Sequence, residues 1–276
     1  MLKSGEFSIR LHELLRDQAA PHAIADVRLG RAYIAVRIDD GRLGLSGFPT
    51  HGPDRTVPPH PPYADGSPGL SDFPTGEPLR DEAILHSFVA LAGAAAVLGW
   101  LTAKDAPLKK ALALATANAL IRQEHSDVAG DSLDHLQLMP NDKVAMVGRF
   151  TPLISRIASK GASLIVLEKD AAKGLVLSKG KRRMVLKSCT IAIITATALF
   201  YDDLEDILND LGAPRHVALL GPSTPMLPAL FADTPVTQLG GVRIIDAAQI
   251  LPVVSAGGGT RAMRPYLEMT NLFLGK

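Results

Sequence analysis

The alternation of apolar and polar positions changes rhythm halfway along the chain. At the start, "MLKSGEFSIRLHELLRDQ" places apolar residues at helical spacing with charges between them, which predicts an amphipathic helix rather than a signal peptide. "ADVRLGRAYIAVRIDDGRLGLSGFP" alternates around an Asp40-Gly41 turn and predicts a hairpin, with strands near Ala25–Ile38 and Arg42–Gly47. Residues 49–78 are crowded with proline, glycine and aspartate, so neither helix nor inner strand forms there and a long loop is expected. Two helical stretches follow: the alanine-rich residues 83–101, and Pro107 to Glu124 with Pro107 in the first turn.

In the second half, short apolar runs recur: "KVAMVG" (143–148), "SLIVLE" (163–168), "TIAIIT" (190–195), "HVALLG" (216–221) and "GVRIID" (241–246). Helix-compatible segments such as "TPLISRIASKG" and "LFYDDLEDILNDLG" separate them. Unbroken apolar strands alternating with helices predict a mostly parallel sheet covered on both faces. The expected fold is α/β: an N-terminal α+β domain, residues 1–138, in which helices back one antiparallel sheet, then a Rossmann-like domain, residues 139–276. The basic stretch Lys179 to Arg183 reads as a solvated loop before the third strand.

A formal net charge of +1 gives no electrostatic reason to expect nucleic acid or an anionic membrane, and 5% aromatic content weakens base stacking further. The single cysteine, Cys189, excludes an internal disulfide and suits a reducing, cytoplasmic compartment. Residues 83–101 are long enough for a membrane span, but alanine, glycine, His86, Ser87 and nearby charges favour a buried helix.

In a doubly wound sheet, ligands bind beyond the carboxyl ends of the strands, where the strand order reverses. The residues there are Gly148-Arg149-Phe150-Thr151-Pro152, Glu168, Thr195-Ala196-Thr197, Gly221-Pro222-Ser223-Thr224-Pro225 and Asp246. "HVALLGPSTPMLP" is expected to pass from strand to helix, with Pro225 in the first helical turn and Ser223 or Thr224 as cap; the helix dipole there would favour an anion. Glu168 stands twenty residues after Gly148, where a dinucleotide fold places its ribose-gripping acid. However, "GRFTPL" has one of the three fingerprint glycines, and Phe150 and Pro152 obstruct a pyrophosphate. Gly148 equally serves a plain strand-to-helix turn with Thr151 as N-cap.

"KVAMVGRFTPLI", "IVLEKD", "IAIITATAL" followed by "LEDIL", "VALLGPSTPMLPALF" and "SAGGGT", in this order, together with "LKKALALATANAL" and "DSLDHL", resemble the heavy-metal chelation family. In that family an enolase-N-terminal-like domain precedes a Rossmann-like domain. The resemblance covers most of the chain apart from the proline-rich loop and implies a cleft between the domains that handles a metal or metal complex. It carries over to Asn118, Asp131, Asp134, Gly148, Phe150, Glu168, Thr195, Thr197, Gly221, Pro222, Ser223 and Thr224. The family shows an asparagine-containing turn after "TATAL", whereas this chain reads Phe200-Tyr201-Asp202-Asp203, leaving Asp202 to take over that polar contact.

No paired Cys or His marks a zinc site. The richest local cluster is His125-Ser126-Asp127 with Asp131, Asp134 and His135; its donors suit zinc, nickel, iron or manganese, while a helix cap explains Asp131 equally well. His51 and His60 lie in the proline-rich loop. Gly257-Gly258-Gly259, followed by Thr260, Arg261 and Arg264, is either an anion-holding loop or a connection before a last helix. These residues point to binding of a small polar or anionic ligand, a metal ion or metal chelate, with Asp131, Asp134 and Glu168 as metal-facing carboxylates and a divalent transition metal as cofactor. Two rivals stand beside it. One is an NAD- or S-adenosylmethionine-dependent enzyme using Glu168 on a ribose; the other is a non-catalytic, homo-oligomeric scaffold, such as a homodimer, with the alanine-rich helix and Trp100 as its face. No nucleophile–base pairing shows, and the sequence leaves open whether a reaction is catalysed.

Overall fold

The computed structural model describes residues 1–49, 93–122 and 127–275. Most of the proline-rich loop, His51, His60, the start of the alanine-rich stretch, His125 and Ser126 lie outside the described residues. In chain order the elements are α1 (Glu6–Ala19), β1 (Ile24–Leu29), β2 (Tyr33–Ile38), β3 (Leu43–Gly47), α2 (Ala94–Gly99), α3 (Pro107–Leu120), β4 (Val128–Ala129), β5 (Lys143–Val147), α4 (Thr151–Ser159), β6 (Ser163–Leu167), α5 (Lys179–Ser188), β7 (Ile191–Thr195), α6 (Leu204–Asp210), β8 (His216–Leu220), β9 (Gln238–Ile244), α7 (Ala247–Ser255), α8 (Thr260–Met263) and β10 (Leu267–Phe273). They form two compact units: residues 1–6, 124–242 and 269–276 in one, residues 7–123 and 243–268 in the other.

In the unit that contains residues 7–123, β1, β2 and β3 form an antiparallel meander. The run expected to be one strand from Ala25 to Ile38 is two, divided at Gly30. Gly30 donates to the Tyr33 carbonyl at 2.8 Å, and a Cβ on it would strike the Val254 carbonyl of α7, so the chain turns where backbone meets backbone. The Asp40-Gly41 turn forms as expected, with Gly41 at φ +90°. Helix α3 is buried on nearly every side, and its alanines allow the backbone of Gly44 to press directly against Ala115 and Ala119.

The other unit carries a seven-stranded sheet in the order β4-β10-β9-β8-β7-β5-β6, in which β6, β5, β7, β8 and β9 run parallel. Strands β5 to β8 fall where the apolar runs predict them; β9 begins three residues earlier, at Gln238. The helix expected after the three glycines is a single turn, α8, and the chain then closes with β10, which pairs antiparallel with β4. The expected loop over Lys179–Arg183 is the start of α5: its charges face water, Lys179 and Arg183 pair with Asp206 and Asp210 of α6 at 3.0 and 3.6 Å, and Leu186 anchors it in the core. Beneath α4, Leu153 and Ile157 pack on Val144, Met146, Ile191, Ile193, Ala218 and Leu220. Ala192, Ile194 and Leu219 fill the opposite face without solvent contact.

The amino ends of the central strands share one polar knot. Asp142, Thr190 and Arg215 each immediately precede a strand: β5, β7 and β8. The Asp142 carboxylate is 4% exposed and accepts from Arg215 Nη2 at 2.5 Å and Nε at 3.3 Å, from the Thr190 hydroxyl at 2.7 Å and from the Met139 amide at 2.7 Å. Burial alone would raise its pKa; the Arg215 guanidinium, the Met139 amide and the Thr190 hydroxyl outweigh it and hold the carboxyl below its ordinary value. Alongside, Gln238 Nε2 donates to the Ser132 carbonyl and to Asn271 Oδ1, so its Oε1 must accept from His216 Nε2 at 2.7 Å. Burial lowers the pKa of His216, and the cation of Arg215 adds to this against the opposing Gln238 bond, so the fold favours the neutral ring.

Two outcomes are expected. Asp142→Ala takes the shared acceptor from Arg215, the Thr190 hydroxyl and the Met139 amide and lowers stability by about 1–3 kcal/mol, read from the urea midpoint. For His216 the folded pKa lies below the unfolded value of about 6.5, so the unfolded state gains a proton that the fold refuses. Stability therefore falls as pH drops below about 6.5, and His216→Asn flattens that limb while leaving intact the separate acid loss below about pH 3.9, where Asp142 titrates.

Candidate functional site at the ends of the parallel strands

In the order β6-β5-β7-β8-β9, the chain lays β6 on one side of β5 and then returns to lay β7 on the other. The carboxyl ends of β5 and β7 therefore flank the point where the strand order reverses, the usual ligand position in an open parallel sheet. Gly148, just past β5, adopts φ +86°, and a Cβ on it would lie 2.6 Å from Thr195 Cγ2 at the end of β7. Thr195 Oγ1 accepts from the Thr197 amide at 3.3 Å and lies 3.0 Å from the Thr197 hydroxyl, forming a half-buried hydroxyl pair that caps a 3-10 turn. Phe150, rather than Thr151, occupies the N-cap of α4, so that helix start lacks a side-chain cap. The Phe150 ring packs against the core under α4, and a Cβ on Gly221 would reach it at 4.0 Å. Gly148, Phe150, Thr195, Thr197 and Gly221 thus lie along one edge.

Glu168 ends β6 and bends toward β5. Its Oε1 accepts from the Arg149 amide at 2.7 Å and its Oε2 from the Lys169 amide at 3.3 Å, while Arg149 Nη1 donates to the Lys173 carbonyl at 2.8 Å. The twenty-residue spacing from Gly148 is thus realised as a tie between two loops. Lys169 pairs with Asp203 at 2.5 Å and lies 4.3 Å over the Tyr201 ring, joining the segment after β7 to the end of β6. The ends of β6 and β8 are three strand spacings apart, about 14 Å, so Glu168 and Ser223 stand at opposite ends of the row.

The turn after β8 departs from expectation. No helix starts at Pro225; a 3-10 turn covers Pro228–Phe231, with Leu227 before it. Pro222, Pro225 and Pro228 each remove an amide donor, which denies a helix its first hydrogen bonds. Ser223 and Thr224 are only 2% and 3% exposed, and the Thr224 hydroxyl donates to the Gly240 carbonyl at 2.9 Å, tying the turn to β9. There is no dipole end to attract an anion at this turn.

Of the three expected metal ligands, Asp131 and Asp134 meet on one arginine, and Glu168 does not join them. Asp131 caps the 3-10 turn Ser132–His135, accepting from the Leu133 amide at 3.0 Å, and both Asp131 and Asp134 are ion-paired with Arg156, at 2.9 and 2.5 Å. One arginine already pairs with both of those carboxylates. His135 stacks edge-on against Phe273. Asn118 belongs to the meander unit, where its Nδ2 donates to the Leu45 carbonyl at 2.8 Å and fastens α3 to β3. Gly258 closes α7: the Gly257 amide donates to Val254 and the Gly258 amide to Val253, with Gly257 at φ +77°, so neither donor is open to an anion. Among the described residues the group of His, Asp, Glu or Cys side chains close enough to share an ion is His22, Asp39 and Asp40, whose ligand atoms lie within 4.8 Å of one another. Sequence inspection missed it, although the antiparallel register that pairs Ile24 with Ile38 sets His22 beside the Asp39-Asp40 turn.

Residues 131–273 match one family model and residues 12–121 a second, both described as "Putative heavy-metal chelation". The fold is shared with a protein of unknown function from Pyrococcus horikoshii, at 15% identity and TM-score 0.76 over 97% of this chain and 100% of that one. It is shared also with one from Desulfitobacterium hafniense DCB-2, at 17% identity and TM-score 0.71 over 96% and 98%. Both come from the family whose model covers residues 131–273. No curated protein matches the sequence. Among the described residues no helix is long and apolar enough to cross a membrane.

Gly148→Ala is expected to cost about 1–3 kcal/mol of stability from its left-handed backbone, plus the contact with Thr195. Adding Thr195→Gly should recover the contact part alone, measured as a coupling in a double-mutant cycle of urea unfolding.

Proposed function

The chain belongs to the family described as "Putative heavy-metal chelation", and we propose that it binds a small anionic metal chelate at the switch point between β5 and β7. The observation that carries this reading is the close approach of Gly148 to Thr195, with the half-buried Thr195–Thr197 hydroxyl pair beside the start of α4. That helix start has no side-chain cap and presents a positive dipole end to an anion through the Thr151 amide, since Pro152 carries no N–H and the Leu153 amide donates to the Phe150 carbonyl at 2.9 Å. The hydroxyls add directional donors, and the exposed Arg149 sets positive charge at the rim. The edge offers an organic acid more partners than it offers a bare ion: the Glu168 carboxylate already accepts two backbone amides. Sequestration of a soft metal by thiolates has no donor set here, since the chain has one cysteine, buried, with its thiol pKa raised by burial.

Calorimetric titration with nickel–citrate and with metal-free citrate tests the reading. Nickel–citrate should bind, and Thr195→Val, which keeps shape and removes the hydroxyl, should weaken it about tenfold, or about 1.4 kcal/mol, in a variant that stays folded with a melting temperature lowered only by the lost turn cap. No binding of nickel–citrate, or equal binding by the Thr195→Val variant, would overturn the assignment.

A further inference from the structure

The β2–β3 turn sets a histidine and two aspartates around the Arg42 side chain, remote in sequence from the strand-end residues. Asp40 Oδ1 accepts the Arg42 amide at 3.1 Å, and Asp39 Oδ2 accepts the Ala23 amide at 3.1 Å, so the backbone fixes both carboxylates. His22 Nδ1 lies 2.7 Å from Asp39 Oδ1, and His22 Nε2 lies 3.0 Å from Arg42 Nη2. A guanidinium only donates, so Nε2 must accept, and Nδ1 must therefore carry the proton given to Asp39. This sets the tautomer. The Nε2 lone pair and Asp40 Oδ2, 3.9 Å apart, both face the Arg42 guanidinium, whose Nε reaches Asp40 Oδ2 at 2.8 Å and whose Nη1 reaches the Leu120 carbonyl at 2.7 Å.

A carboxylate on Nδ1 that turns Nε2 toward a cation is how proteins orient a metal-binding imidazole. Two donors each about 2.1 Å from one ion can stand up to about 4.2 Å apart, so the 3.9 Å between Nε2 and Asp40 Oδ2 fits a shared ion. Nitrogen and carboxylate donors without sulfur suit zinc, nickel or copper(II). Arg42, Asp40 and Asp39 are all partly open to water, where an ion pair is weakly held and readily exchanged.

We propose that His22 and Asp40 form an exchangeable site for a borderline divalent transition ion, with Arg42 as the competing internal cation and Asp39 as the positioning residue for His22. The ion takes the place of the guanidinium and water completes its coordination. The site does not rest on the strand-end reading, since it uses none of those residues.

Titration of the tag-free full chain with Zn²⁺ near pH 7, followed by calorimetry, and with Co²⁺, followed by visible absorption, tests it. One Zn²⁺ should bind, His22→Gln and Asp40→Asn should each abolish that binding, and Asp39→Asn should weaken it by about ten- to a hundredfold. Arg42→Met, by removing the competitor, should tighten it and strengthen the Co²⁺ absorption. Circular dichroism of each variant identifies any loss of fold, and Arg42→Met keeps the question decidable if the others are damaged. Zn²⁺ binding that survives His22→Gln, or that is absent from both the native chain and Arg42→Met, overturns the site.

Discussion

A single buried carboxylate sets where the middle of the parallel sheet begins. Asp142 takes hydrogen bonds from the residue ahead of β7 and from the residue ahead of β8, while itself standing ahead of β5. Three strands from distant parts of the chain are therefore started at one level. Each is five residues long, so their far ends emerge about 16 Å away with little room to drift. That is what lets Gly148 and Thr195 meet at a van der Waals limit rather than miss by a residue. A knot of this kind must be complete to be tolerated, because a buried charge short of a partner costs more than the pair returns; Thr190, the Met139 amide and Arg215 supply what Asp142 needs.

The two ends of the sheet are polar in different ways. At the amino ends, polar groups face inward and satisfy one another, through the Asp142 knot and the Gln238, Asn271 and His216 network. At the carboxyl ends the hydroxyls of Thr195 and Thr197 are half-buried and, among the described residues, bond to each other and to one amide, which leaves donor and acceptor capacity over. The proline-bearing turn after β8 looks equally polar in sequence yet belongs to the first kind, because Thr224 spends its hydroxyl on β9. Metal-ligand chemistry is distributed with similar indifference to sequence proximity. The acidic run at Asp131 and Asp134 is consumed by Arg156, while His22 and Asp40, eighteen residues apart, face one cation.

What could be read directly was whatever depends on local repetition. Strands β5 to β8 are continuous apolar runs because both faces are covered, and α1 and α4 carry their buried side chains at helical spacing. Gly41 marks its turn because only a left-handed residue closes it. Strand β10, "LEMTNLF", was illegible: it mixes polar and apolar residues, and Thr270 and Asn271 are fully buried, Asn271 bonding to Gln238, Val128 and Gly130 from distant parts of the chain. Gly30 gave no sign that it would split a strand, because the carbonyl that excludes its Cβ belongs to Val254, more than two hundred residues later.

The amino-acid sequence by itself determined the class of fold, the parallel strands, the turn glycines and the edge of the sheet on which polar residues gather, because periodicity and backbone stereochemistry act over a few residues. Tertiary structure alone decided which of those polar residues remain available. Whether a hydroxyl, carboxylate or amide is free depends on which distant group reaches it first. Arg156, Gly240 and Val253 claimed Asp134, Thr224 and Gly258, while Thr195 and Thr197 met each other and His22 and Asp40 met Arg42.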